Sequence, residues 1–180
     1  MGTVSDVAVC GGVIVSTGYD RTVRLWSASS GSELACLKGH SGPVLKAVCG
    51  DGLAVSCGRD GVACAWDLEK GSRLGSMKGH KGHVTAAAWL GRPGSGAGLG
   101  ASVFATGAQD GHVRVWDLRG KRALANELVH VRPEGVGAVN GLVLTPGGGG
   151  AGCSLVSAGA DAAVCVLDPR KGFTVRARLE

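Results

Sequence analysis

A chain of 180 residues with 44% apolar and 18% charged side chains can bury a sizeable core and is too apolar for a disordered polymer. Nineteen basic residues against fourteen acidic give a net charge of +5, a modest excess. With one Tyr and two Phe it lacks the stacking aromatics that nucleic-acid surfaces pair with a clustered basic face, so nucleic acid is not an expected partner.

The first apolar run, Val13-Ile14-Val15, leads through Ser16 and Gly18 to Tyr19-Asp20, and Thr22–Trp26 then alternates as a strand does. The same order returns in Leu53-Ala54-Val55, Ser56, Gly58, Asp60 and Trp66. Residues 1–40 lie on 41–80 without a gap, pairing Gly2 with Gly42, Val4 with Val44, Gly31 with Gly71 and Lys38-Gly39-His40 with Lys78-Gly79-His80. A third copy carries Val103-Phe104-Ala105, Thr106, Asp110 and the alternating His112–Trp116. A fourth carries Leu155-Val156-Ser157 and Asp161, with Leu167 where Trp would stand. A histidine precedes each of the last three copies: His40, His80 and, at a stretched spacing, His130. Asp60-Gly61 and Asp110-Gly111 favour tight hairpins, and 33 glycines leave no stretch suited to a stable helix.

The chain therefore reads as all-β, one region over 1–180 built from repeats at approximately 1–40, 41–80, 81–130 and 131–180. The extra length of the later copies falls in glycine-rich insertions at 91–100 and 147–150 and in the stretched His130–Val139 segment, all expected to be flexible loops.

Gly39-His40, Asp60 with Trp66-Asp67, Gly79-His80, and Asp110 with Trp116-Asp117, in register at this period, resemble the WD-repeat (WD40) β-propeller family. The resemblance covers almost the whole chain. It implies blades of four antiparallel strands, lettered d, a, b and c, around a central axis. It also implies that a His, a Ser or Thr, an Asp and a Trp form a hydrogen-bonded chain inside each blade. Carried over, the complete sets are His40–Ser56–Asp60–Trp66 and His80–Thr106–Asp110–Trp116. The first repeat has Ser16, Asp20 and Trp26 without a His. The fourth has Ser157 and Asp161, but Leu167 has no indole N–H, so its network should be shorter and its blade the least rigid.

Ser, His and Asp together also invite a hydrolase reading. A nucleophilic serine needs an exposed hydroxyl on a strained turn such as Gly-x-Ser-x-Gly. Ser16, Ser56 and Ser157 instead follow valine inside apolar runs, and the set recurs copy after copy, so no catalytic residue is expected. The seven cysteines show neither Cys-x-x-Cys nor zinc-type Cys/His spacing, and the glycine-rich stretches lack the Lys-Ser/Thr of a phosphate loop; no metal or cofactor is expected. Unpaired thiols, with no opening signal peptide and no membrane-length apolar run, point to the cytoplasm or nucleus.

The family resemblance implies a non-enzymatic scaffold that binds other proteins through the rim carrying its d–a and b–c loops. On that rim Tyr19, Arg59 and Gln109 precede the turn aspartates, Lys81 and His83 follow the second Gly-His, and Arg132 and Glu134 lie on the stretched loop. Tyr19 and Arg59 lead, as residue types enriched at binding hot spots. Narrower alternatives are the substrate-receptor part of an F-box-type ubiquitin ligase, or an RNA- or chromatin-associated module. Four repeats cut at one point of the period fit part of a larger propeller best. Two copies closing an eight-blade ring, or one closing a strained four-blade ring, stand as alternatives, and open blade edges would favour self-association.

Overall fold

The computed structural model describes residues 2–91, 102–120, 122–133, 135–145 and 153–180. The glycine-rich insertions, apart from Gly91, lie outside the described residues, as do Lys121 and Glu134. Apart from one two-stranded ribbon, every described strand belongs to a four-stranded antiparallel meander. Blade 1 comprises β1 (Val4–Cys10), β2 (Val13–Gly18), β3 (Thr22–Ser27) and β4 (Glu33–Lys38). Blade 2 comprises β5 (Val44–Gly50), β6 (Leu53–Gly58), β7 (Val62–Asp67) and β8 (Ser72–Lys78). Blade 3 comprises β9 (Val84–Trp89), β10 (Val103–Ala108), β11 (His112–Asp117) and β12 (Arg122–Leu128). The ribbon of β13 (Val131–Arg132) and β14 (Gly135–Val136) precedes blade 4, which comprises β15 (Val139–Thr145), β16 (Ser154–Gly159), β17 (Val164–Asp168) and β18 (Thr174–Leu179).

The ribbon is a departure from the flexible loop expected over His130–Val139. Val131 pairs with Val136 and Arg132 with Gly135, so backbone groups that a loop would leave to water satisfy each other. A second departure is a short 3-10 turn at Pro169–Lys171, the one helical element among the described residues, capped by the Asp168 side chain on the N–H of Arg170.

Within each blade the strands hold their faces by simple alternation. Val15, Val23 and Leu25 of blade 1 point toward blade 2, where they meet Val44, Ala54 and Trp66 in one buried cluster. Val55, Ala63 and Ala65 of blade 2 join Val84, Phe104 and Trp116 of blade 3. Ala105, Val113 and Val115 of blade 3 join Val139, Leu155 and Leu167 of blade 4. No such cluster joins blade 4 to blade 1 among the described residues, and the array is open. The innermost strands β1, β5, β9 and β15 lie side by side in that order and line a shared axial cavity of about 370 Å3. Hydroxyls bolt them together: Ser5 Oγ donates to the carbonyl of Val44 (2.6 Å), and Thr85, its counterpart in blade 3, donates to the carbonyl of Val139.

Candidate partner-binding rim and blade networks

The turn between the second and third strands of each blade is set by its aspartate. One carboxylate oxygen accepts the N–H two residues on: Thr22 from Asp20 (3.1 Å), Val62 from Asp60 (3.2 Å), His112 from Asp110 (3.2 Å) and Ala163 from Asp161 (3.3 Å). The residue after each aspartate turns left-handed, at φ +72° for Gly61 and +70° for Gly111, but also +69° for Arg21 and +60° for Ala162. The aspartate thus holds the turn even where glycine is missing.

In blade 2, Trp66 Nε1–H donates to Ser56 Oγ (2.8 Å), which leaves the Ser56 hydroxyl proton for His40 Nε2 (2.8 Å). His40 Nδ1–H then donates to Asp60 Oδ2 (2.7 Å), an oxygen that also accepts the N–H of Ser41 (3.0 Å). Blade 3 repeats the chain: Trp116 Nε1–H to Thr106 Oγ1 (2.8 Å), Thr106 to His80 Nε2 (2.8 Å), and His80 Nδ1–H to the Asp110 carboxylate (3.1 Å), which also takes the N–H of Lys81 (2.8 Å). Ser56, Thr106 and Ser157 are fully buried.

Blade 4 differs from the expected shortened set. His130 belongs to it despite the stretched spacing, bonding Asp161 Oδ1 (2.8 Å) and Ser157 Oγ (2.9 Å), while buried Leu167 takes the indole's place in the core. The Arg178 guanidinium adds a bond to Asp161 Oδ2 (3.0 Å) that the repeat pattern gives no sign of. The sequence places His130 upstream of the fourth copy, but its stretched spacing keeps it out of the set that the resemblance implies. In blade 1, Trp26 Nε1–H reaches Ser16 Oγ (2.8 Å), and Asp20 takes the Thr22 hydroxyl (2.7 Å), but no imidazole joins them among the described residues.

These bonds govern titration. The Thr22 hydroxyl holds Asp20 below the usual carboxylate range. Burial alone would push Asp110 up, but the Lys81 N–H and His80 together carry it below its ordinary value; at Asp161 the His130 bond overcomes burial in the same way. Burial depresses His80 in spite of its aspartate, so its imidazole is neutral at physiological pH.

The rim is a backbone frame. The residue before each turn aspartate donates its N–H across to the loop entering the blade: Tyr19 to Thr3 (2.9 Å), Arg59 to Pro43 (2.9 Å), Gln109 to His83 (3.0 Å) and Ala160 to Ala138 (2.8 Å). On this frame the Arg59 guanidinium lies 5.5 Å from the centroid of the Tyr19 ring, a cation–π pair that bridges blades 1 and 2. Tyr19 remains 45% exposed, and Arg59, Gln109 and Lys81 are exposed beside it. Gln109 Oε1 accepts the N–H of His83 (3.4 Å), and half-buried Arg132 sits on the ribbon with exposed Val131 and Val136. Sequence reasoning missed those two valines, because their exposure depends on the ribbon.

An open series of β-meander blades, three of them carrying buried His–hydroxyl–Asp chains, is the architecture of a β-propeller segment. The family model of the "WD domain, G-beta repeat" matches residues 2–27, 31–67 and 71–117, and the chain belongs to the WD40-repeat family. Over 42 residues it is 50% identical to the WD repeat-containing protein pop1 of Schizosaccharomyces pombe, a match that takes in 23% of this chain. The chain spans about 5% of that relative's length. WD40 repeats are in general protein-interaction modules. No helix among the described residues is long and apolar enough to cross a membrane.

Proposed function

We propose that the chain is a non-enzymatic platform whose rim, with Tyr19 and Arg59 at its centre and Gln109, Lys81, His83 and Arg132 around them, binds a protein partner in a multiprotein complex. The observation that carries this reading is the Tyr19–Arg59 stack. Two residues of the types enriched at hot spots are already ordered against each other on backbone-bonded turns and still face solvent. Pre-ordering of that kind lowers the entropy cost of association.

The polar chains serve to brace the blades. Supporting this, each buried hydroxyl spends its hydrogen-bonding capacity on an imidazole, and in blades 2 and 3 on an indole as well, with no solvent access for a substrate. Seven free thiols suit a reducing compartment, cytoplasm or nucleus.

The test is affinity purification of wild type against Tyr19→Ala/Arg59→Ala, read by mass spectrometry. Proteins recovered with wild type should be lost with the double variant while its far-UV spectrum and denaturation midpoint stay the same. Unchanged recovery would remove the rim assignment. A fluorophosphonate probe that labelled folded protein, and failed to label Ser56→Ala, would overturn the non-enzymatic reading. A substrate receptor of a ubiquitin ligase would use the same rim and would bring ligase subunits into the recovered set.

A further inference from the structure

The inner strands of blades 1 and 2 bring two thiols together at the end of the blades away from the rim. β1 and β5 belong to different sheets, and no ladder joins them. Near the rim, Ser5 Oγ reaches the carbonyl of Val44, 39 residues along the chain, and Asp6 Oδ2 accepts the N–H of Ala47 (3.0 Å). Both strands leave the rim in the same direction. That offset therefore carries down their length and sets Cys10, the last residue of β1, opposite Cys49 of β5, again 39 residues on. Alternation turns the two toward each other. Ala8 and Cys10 of β1, and Ala47 and Cys49 of β5, share the cluster between blades 1 and 2, while Val9 is exposed and Val48 packs on the side of blade 3. Both thiols are free and half-buried, and Cys49 lines the axial cavity, so a small oxidant can reach the pair. Burial pushes the Cys49 thiol up to about 12, and Cys10 beside it adds to the shift.

We propose that Cys10 and Cys49 form a redox modification site, oxidised by hydrogen peroxide to a disulfide that locks blade 1 to blade 2. The Cys10 thiolate attacks one peroxide oxygen; the O–O bond breaks, the released hydroxide takes up a proton and leaves as water, and Cys10 becomes a sulfenic acid. The Cys49 sulfur then attacks the Cys10 sulfur, the S–O bond breaks, and the Cys49 proton leaves with the hydroxyl as a second water. The two thiols lose two electrons and the peroxide gains them. Cys10 attacks first because Cys49, held protonated by burial, offers little thiolate. The other cysteines do not compete: Cys57, Cys64, Cys153 and Cys165 are buried, and exposed Cys36 lies on the outer strand β4. The link closes a loop through both blades and restricts the unfolded chain, so it stabilises the pair until a thiol reductant opens it. It acts on the inner strands and does not depend on what the rim binds.

The test treats the folded protein with hydrogen peroxide, alongside Cys36→Ser to exclude links between molecules through the exposed thiol. Remaining thiols are blocked with N-ethylmaleimide, and the non-reduced tryptic peptides are mapped by mass spectrometry. The expected product joins the peptide of Cys10 to that of Cys49 through these two residues, is lighter than the reduced pair by two hydrogens, and disappears with dithiothreitol. The urea midpoint should rise on oxidation and return on reduction, and Cys10→Ser and Cys49→Ser should each abolish the rise. A Cys10 carried to sulfinic acid beside a Cys49 that still takes N-ethylmaleimide overturns the proposal. So does a pair left unlinked, or a Cys10–Cys49 link no more abundant in folded protein than in protein oxidised in urea. A midpoint rise that persists in either serine variant overturns it as well.

Discussion

Replacing one serine by alanine in three different blades should produce three different losses, because the same hydroxyl has different partners in each. Ser56 is fully buried between the Trp66 indole and His40, so Ser56→Ala leaves a buried donor and a buried imidazole nitrogen without partners. Each orphan costs about 1–3 kcal/mol, and allowing for local relaxation the expected loss is about 2–4 kcal/mol. Ser157 is equally buried but serves only His130, since Leu167 offers no N–H; Ser157→Ala should cost about 1–3 kcal/mol. Ser16 bonds the half-buried Trp26, and water reaches the freed indole, so Ser16→Ala should cost less than about 1 kcal/mol. Urea denaturation followed by far-UV circular dichroism and by tryptophan fluorescence supplies the comparison; coincidence of the two probes licenses reading midpoints as stabilities in a repeat array. Equal losses at the three sites, or the largest at Ser16, would refute the idea that the networks brace the blades through buried hydrogen bonds.

Acid should act in two stages. The folded pKa of His80 lies below its ordinary 6.5, so between the two values the unfolded chain carries the extra proton. The contribution of this site is complete above about pH 6.5 and declines as the pH falls toward the folded value. Asp110 and Asp161 are depressed below 3.8, so their contribution is complete above that pH and is lost as the pH falls through their folded values. Urea midpoints measured down to about pH 3 should show both declines, and His80→Gln should remove the upper one. Ala162 occupies a left-handed turn at φ +60°, so Ala162→Gly should raise stability by about 1 kcal/mol, measured by the same denaturation. A Cβ on Gly159 would collide with the ring of His130 and stand 2.6 Å from Asp161 Oδ1, so Gly159→Ala should cost about 1–3 kcal/mol and broaden the His130 imidazole signals in NMR.

Strand identity and turn position were legible because each depends on spacing along the chain, and the blade 2 and blade 3 networks because the WD-repeat resemblance implies them at these residues. Alternation with a period of two sets which residues of Thr22–Trp26 or His112–Trp116 face inward, and an aspartate before a left-handed turn works the same way in every copy. His40 and His80 are recognisable because each stands four residues before the first strand of its blade, which starts at Val44 and at Val84.

Where loop length varies, tertiary structure decides. His130 reaches Ser157 and Asp161 because the ribbon folds back on itself and returns the chain to its usual entry point; an offset along the sequence carries no record of that return. Arg178 joins the same network from the outer strand, and Arg59 stacks on Tyr19 from a neighbouring blade, contacts between residues far apart in sequence or on different blades. The four-fold β-meander is thus a local and periodic property written in the sequence. The order of the rim and the composition of the fourth network are products of how the chain folds back and how one blade packs against the next.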